Sequence, residues 1–178
     1  MIQNTIVKYA ELFNGLKETG ENEGWEDIYF EEIDSTFQDL MVAVGWKSGH
    51  AWCAYFAELV WKLAYQDHPL VIELNNLFSA SAVQTWKNFS KSDFRTSSVP
   101  FVGDVIAWRN YKRGKAQWTG HLGIVTQVDG RVITTIEGNI GSHSDREGDQ
   151  VGMRVRTISF DKKSNGLNLL GFIHPTRV

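Results

Sequence analysis

Apolar residues recur every three or four positions through the first hundred residues and every second position after that. This change of period divides the fold. Ile2, Ile6, Tyr9, Ala10, Phe13 and Leu16 lie on one helical stripe and predict an amphipathic helix over 3–16. The polar run 17–24, with Gly20 and Gly24, ends it. Ile33, Phe37, Leu40, Met41 and Val44 mark a second helix over about 26–44, stopped by Gly45. Phe56, Ala57, Val60, Trp61 and Ala64 mark a third, which opens at Ala51-Trp52-Cys53 and ends before Asp67-His68-Pro69. Ala80, Val83, Trp86 and Phe89 predict a fourth over about 79–89, and 91–100 reads as a Ser/Thr-rich connection. Past Pro100, residues 103–108 read as a strand and 109–119 as a long basic loop. Strands over 121–128 and 132–138 meet at Asp129-Gly130, and strands over 151–159 and 169–174 flank a turn at 161–166. Helices first and strands second predict an α+β chain, with N-terminal helices packed on a C-terminal antiparallel sheet of about five strands. No repeat, low-complexity tract or linker divides residues 1–178, so one domain is expected.

The hairpin at Asp129-Gly130 constrains its own register. Leu122, Ile124, Thr126 and Val128 alternate with His121 and Gly123; Val132, Thr134 and Ile136 alternate with Glu137 and Asn139. Directly opposed residues share a face, so partners on one face must have numbers that sum to an even value. A two-residue loop at Asp129-Gly130 would give an odd sum and set Leu122 against Glu137. An odd loop or a bulge at the turn is therefore expected, with Gly130 left-handed. His121, Glu137 and Asn139 then share one face near one end of the hairpin, and Gly123 leaves room for a close approach.

The stretch 46–61 holds Cys53, the only cysteine, in the first turn of the third predicted helix. Two readings fit it. Unpaired N–H groups and the positive end of the helix dipole favour a thiolate there, and a lone cysteine is also commonly a small buried hydrophobe. A thiolate that attacks a carbonyl needs an imidazole to keep it ionised and a third group to fix the imidazole. His121 with Glu137 and Asn139 supplies those parts, and the combination favours the catalytic reading over three separate structural ones.

Composition narrows the field. At 178 residues, 42% hydrophobic and 22% charged, the chain is ordinary for a globular protein. A net charge of −3 argues against a nucleic-acid partner. A lone cysteine allows no internal disulfide. No stretch reads as a membrane span or a signal peptide, so synthesis in the cytoplasm is expected.

The order Trp52-Cys53-Ala54-Tyr55-Phe56, Gly103-Asp104-Val105, Gly120-His121-Leu122-Gly123-Ile124-Val125 and Glu137-Gly138-Asn139 resembles the CHAP family. These are cysteine- and histidine-dependent amidohydrolases/peptidases that cut bacterial peptidoglycan on a papain-like fold. Lys17-Glu18-Thr19-Gly20-Glu21-Asn22 resembles a segment that often precedes the family's cysteine, and Leu170-Gly171-Phe172-Ile173 its closing strand. The resemblance thus runs from about residue 5 to 140. It implies Cys53 as nucleophile, His121 as general base, Glu137 as third catalytic residue and Asn139 as a further polar support. It also implies a peptidoglycan substrate, cut at the sugar–peptide amide or at a peptide link. The same Cys–His–acid set would serve a papain-like transferase or deamidase acting on protein glutamine, and an idle binding scaffold on this fold is the non-enzymatic alternative.

Two departures from the family pattern shape the expectations. Many members carry Gln before the cysteine as an oxyanion donor, and here that position is Trp52. Trp52 and His50 are expected at the substrate, with His50 and the Cys53 N–H as candidate oxyanion donors. Trp118 is the expected groove wall, and Trp46, Trp108 and Tyr111 are further candidates, although core packing is favoured for Trp108. Arg109, Lys112, Arg113 and Lys115 read either as a site for stem-peptide carboxylates or as a solvated run. The Asp-rich calcium loop of some members is missing. Asp27, Glu31, Glu32 and Asp34 read as a solvated helix face, so no metal and no cofactor are expected. His50, Cys53 and His121 have no recognised zinc spacing. The expected protein is a monomer acting at the bacterial cell wall after release or delivery. It fits a phage lysin freed with a holin, a phage-tail hydrolase, or an effector injected by a secretion system.

Overall fold

The computed structural model describes residues 1–20, 22–141 and 148–177. Among the described residues, five helices precede a six-stranded antiparallel sheet. The helices are α1 (Ile2–Leu12), α2 (Phe37–Ala43), α3 (Cys53–Ala64), α4 (Val71–Leu77) and α5 (Ala82–Phe89). The strands β3 (Phe94–Ser97), β4 (Val105–Lys112), β5 (Lys115–Asp129), β6 (Val132–Ile140), β7 (Gln150–Thr157) and β8 (Gly166–Arg177) lie in the order β3-β8-β4-β5-β6-β7. A separate two-stranded hairpin, β1 (Tyr29–Phe30) with β2 (Ser35–Thr36), sits between α1 and α2. The fold is α+β, with α3 packed on the sheet face that carries Val105, Ala107, Leu122, Ile124 and Ile136. A smaller core of Ile106, Trp108, Val125, Ile133, Ile158 and Phe172 lines the opposite face.

Apolar burial explains α3 well. Every residue from Ala54 to Trp61 is buried, because the helix lies between α1 and the sheet. The helix expected over 26–44 does not form. Asp34 takes a left-handed φ of 56° that closes the β1–β2 hairpin. The Thr36 hydroxyl then caps α2, accepting the Asp39 N–H at 3.1 Å. Only the last two turns of the expected helix survive, and Gly45, at φ 91°, terminates them as anticipated.

The loop expected over 109–119 is instead the tip of the β4–β5 hairpin. Arg113 and Gly114, both at positive φ, make its two-residue turn, and the exposed, mostly polar strands on either side carry no apolar alternation to announce them. The sheet gains a sixth strand, β3, from the Ser/Thr-rich connection. The β5–β6 register corrects one expectation and meets another. Gly130 is left-handed at φ 57°, but the turn is a plain two-residue one, with Asp129 opposite Val132. The parity change falls at a bulge between Val125 and Gln127, so Ile124 pairs with Ile136.

Candidate active site

Cys53 is the first residue of α3, with Trp52 at the N-cap. It is the chain's free thiol and is half-buried. The strand face opposite the helix layer brings His121 on β5 and Glu137 on β6 to this helix start. His121 Nε2 donates to Glu137 Oε2 at 2.8 Å, which leaves Nδ1 for the hydrogen bond that joins His121 to Cys53. Burial penalises charge on both Cys53 and His121, but their mutual attraction and hydrogen bond, with Glu137 acting on His121, together outweigh that penalty. The thiol is lowered below its ordinary value, helped by the backbone N–H groups of Leu122 and Ala54. The imidazole is pushed up to about 10. The favoured pair is therefore thiolate and imidazolium, titrating as a unit.

Glu137 is fully buried. Burial alone would raise its carboxyl, but Arg156 and His121 together hold it at about 2. Arg156 on β7 grips both oxygens, Nε to Oε1 and Nη2 to Oε2, each at 2.5 Å. The Thr135 hydroxyl also donates to Oε1. Glycine makes the room, since a Cβ on Gly123 would lie 2.6 Å from Glu137 Cγ. The Arg156 guanidinium lies 4.7 Å from the centre of the Trp108 ring, and the Trp108 and His121 rings are 5.8 Å apart. Trp108 therefore braces both cations and is a core residue of the far face.

The thiol opens on a cleft of about 390 Å³ lined by His50, Cys53, Tyr55, Trp118, His121 and Asn139, among others. Trp118 stands on its rim, 71% exposed. Asn139 is left-handed at φ 57° and buried, and its Oδ1 has no hydrogen-bond partner among the described residues. His50 is exposed and stacks on Tyr55, with Nδ1 3.4 Å from the phenol oxygen.

Trp52 does not line the cleft. It is fully buried, its Nε1 donates to Glu18 at 3.0 Å, and its ring fills the space beside Gly138. This corrects its expected place at the substrate: a side chain that closes the core under the helix start cannot also contact a ligand. Trp46 is likewise core, 2% exposed, and donates to the His50 carbonyl. Tyr111 and the basic run 109–115 belong to the β4–β5 hairpin and do not line the cleft. Glu18 reaches Trp52 because residues 15–18 pair with the start of β7, Lys17 bridging Gln150.

Sequence reasoning missed Arg156 and Thr135. Thr135 carries a weak signal, two positions before Glu137 and hence on its face. Arg156 sits in a strand whose apolar alternates, Met153 and Val155, point outward at 51% and 73% exposure. Among the described residues no cluster of three or more His, Cys, Asp or Glu side chains is placed to hold a metal, and no helix is long and apolar enough to cross a membrane.

A thiolate placed this way can attack a carbonyl carbon, and the imidazolium beside it can protonate a leaving amine. No match to this chain emerges among curated proteins or among solved structures. A family model for the CHAP domain matches residues 45–139, from the loop before α3 to the end of the Glu137-Gly138-Asn139 segment. The match is narrower than the expected 5–140 and leaves out the 17–22 segment and Arg156. It covers just over half of the chain and contains Cys53, His121 and Glu137, so the chain belongs to the CHAP domain family of cysteine- and histidine-dependent amidohydrolases/peptidases.

Proposed function

We propose that the chain hydrolyses an amide bond of peptidoglycan, either the sugar–peptide amide or a peptide link of the stem or cross-bridge. The observation that carries this reading is the hydrogen-bonded line from Cys53 through His121 to Glu137, opening on a cleft large enough for a substrate segment. The Cys53 thiolate attacks the carbonyl carbon to give a tetrahedral oxyanion. The Cys53 backbone N–H stabilises that charge, with His50 at the cleft wall as the second donor. His121 passes its Nδ1 proton to the nitrogen as the C–N bond breaks, leaving a thioester on Cys53. Neutral His121 then takes a proton from water, the hydroxide attacks the thioester, and the acid leaves as the thiolate returns. Glu137 keeps His121 in orientation throughout, and Asn139 closes the cleft floor.

The site of action would be the bacterial wall, reached by release or by a delivery partner. Purified peptidoglycan digested by the protein should yield new amines and a fragment mass that identifies the bond cut. Cys53→Ala should fold normally and release none. A folded Cys53→Ala protein that still lyses wall would refute the mechanism. Release of ammonia from a glutamine-rich protein, with wall left intact, would move the chain to the deamidase reading.

A further inference from the structure

We propose that Arg156 is a positioning residue of the Cys53 site, whose guanidinium neutralises Glu137 so that this carboxylate can orient His121 without discharging the thiolate–imidazolium pair. The inference rests on Cys53 and His121 working as an ion pair and goes beyond the residues the family model covers, since Arg156 lies past position 139.

The argument is one of charge in a confined place. A thiolate, an imidazolium and a carboxylate held in contact, with Glu137 fully buried and His121 nearly so, leave one negative charge uncompensated. The cheapest relief is a proton from solvent, taken either by the sulfur or by Glu137. Arg156 removes the need for it. Its two N–H groups occupy one lone pair on each Glu137 oxygen, so the carboxylate keeps its hydrogen bond to His121 while losing the basicity to take the proton. With Arg156 the four formal charges cancel. The Trp108 ring fixes the guanidinium on one side and packs near the His121 ring on the other, so displacement of either is resisted by the same indole. Other charged or titratable groups near this cluster, among the described residues, are more remote. His50 lies across the cleft, Glu18 is bonded to Trp52, and Arg154 donates to the Gly141 carbonyl. None of these touches Glu137.

Arg156 is also reachable. Its side chain is 31% exposed, and with Trp108, Ile133, Leu167 and Leu169 it lines a hollow of about 510 Å³ on the sheet face away from the helices. A small cation could enter there and take its place.

The test uses the single cysteine, because alkylation by iodoacetamide then reports only on Cys53. In the wild type the alkylation rate should reach its plateau at acidic pH. Arg156→Ala should move the midpoint upward by about one pH unit or more, and ethylguanidinium should draw it back, whereas neutral ethylurea should not. The double variant Glu137→Gln with Arg156→Met restores charge balance and should return the midpoint towards that of the wild type while kcat stays low. It also serves as the second variant should Arg156→Ala fail to fold. An unchanged midpoint in folded Arg156→Ala, or a double variant whose midpoint lies about one pH unit or more above that of the wild type, would overturn the proposal. Alkylation needs no wall substrate. A wild type with the acidic midpoint but no action on peptidoglycan would therefore count against the proposed function and leave this inference standing.

Discussion

Replacing Glu137 by Gln should remove the part of the chain's acid destabilisation between pH 4.5 and pH 2 that this carboxylate causes. The Glu137 carboxyl is held at about 2 in the folded protein against an ordinary 4.5. In the unfolded chain it binds its proton near 4.5, so between those values the unfolded state holds more protons and stability falls as pH falls. The contribution is fully present above pH 4.5 and gone near pH 2. At about 1.4 kcal/mol per pH unit the gap is worth roughly 3 kcal/mol, and the fully buried position of Glu137 leaves little solvent to weaken it. Against a total of about 5–15 kcal/mol for a typical domain this is a large share. At pH 7 the glutamine also strands Arg156 beside a neutral partner, which should cost about 3 kcal/mol, the low end for a broken buried pair because that side chain is partly exposed.

Urea unfolding followed by tryptophan fluorescence from pH 7 down to pH 2.5 would measure both proteins. The difference between them should be largest at pH 7 and close towards pH 2.5. Asp104 and Glu58, whose carboxyls burial raises, act with the opposite sign but equally in both proteins, so they cancel in the difference. Two curves that run parallel from pH 5 to pH 3 would refute the reasoning.

Turnover on peptidoglycan should rise with the lowered Cys53 thiol and hold until His121 deprotonates at about 10, so a falling limb near the ordinary imidazole value of 6.5 in a pH–rate profile would contradict the ion pair. Gly138→Ala should lower stability by about 1–3 kcal/mol in thermal melts, because the new Cβ would lie 2.6 Å from Phe56 Cβ and 2.7 Å from the Trp52 ring. An unchanged Tm would show that α3 can back away from β6. His50→Ala should reduce kcat about 10²–10³-fold if His50 donates to the oxyanion, and full turnover would exclude that role.

The parts of the site that could be read from the sequence are those set by local rules. Cys53 follows from a helix start, and His121 with Glu137 from the period of two and the parity of paired strands. That parity argument held although the bulge sits at Thr126 and not at the turn, because any one-residue irregularity between Asp129 and the site has the same effect. Long-range choices stayed hidden. Arg156 reaches Glu137 because the β6–β7 pairing sets it opposite Ile133, on the face that also carries Thr135 and Glu137, and β7 then turns Met153 and Val155 outward against their hydropathy. Trp52 read as a substrate contact because it adjoins Cys53. Its burial depends on Glu18 arriving from 34 residues earlier, which no local pattern records. The expected helix over 26–44 failed for a local reason that was visible, since Thr36 with Asp39 is a capping pair inside the apolar stripe.

The core under the helix start has an optical consequence. The Trp25 ring lies 4.8 Å from that of Trp46 and 5.0 Å from that of Trp52. Three indoles at such spacing couple their excited states, so the protein should show an exciton couplet in circular dichroism that none of its tryptophans would give alone. Trp25 comes from the N-terminal loop and Trp52 adjoins Cys53 directly. The couplet would therefore read out, without a label or a substrate, whether the N-terminal segment is seated beneath Cys53.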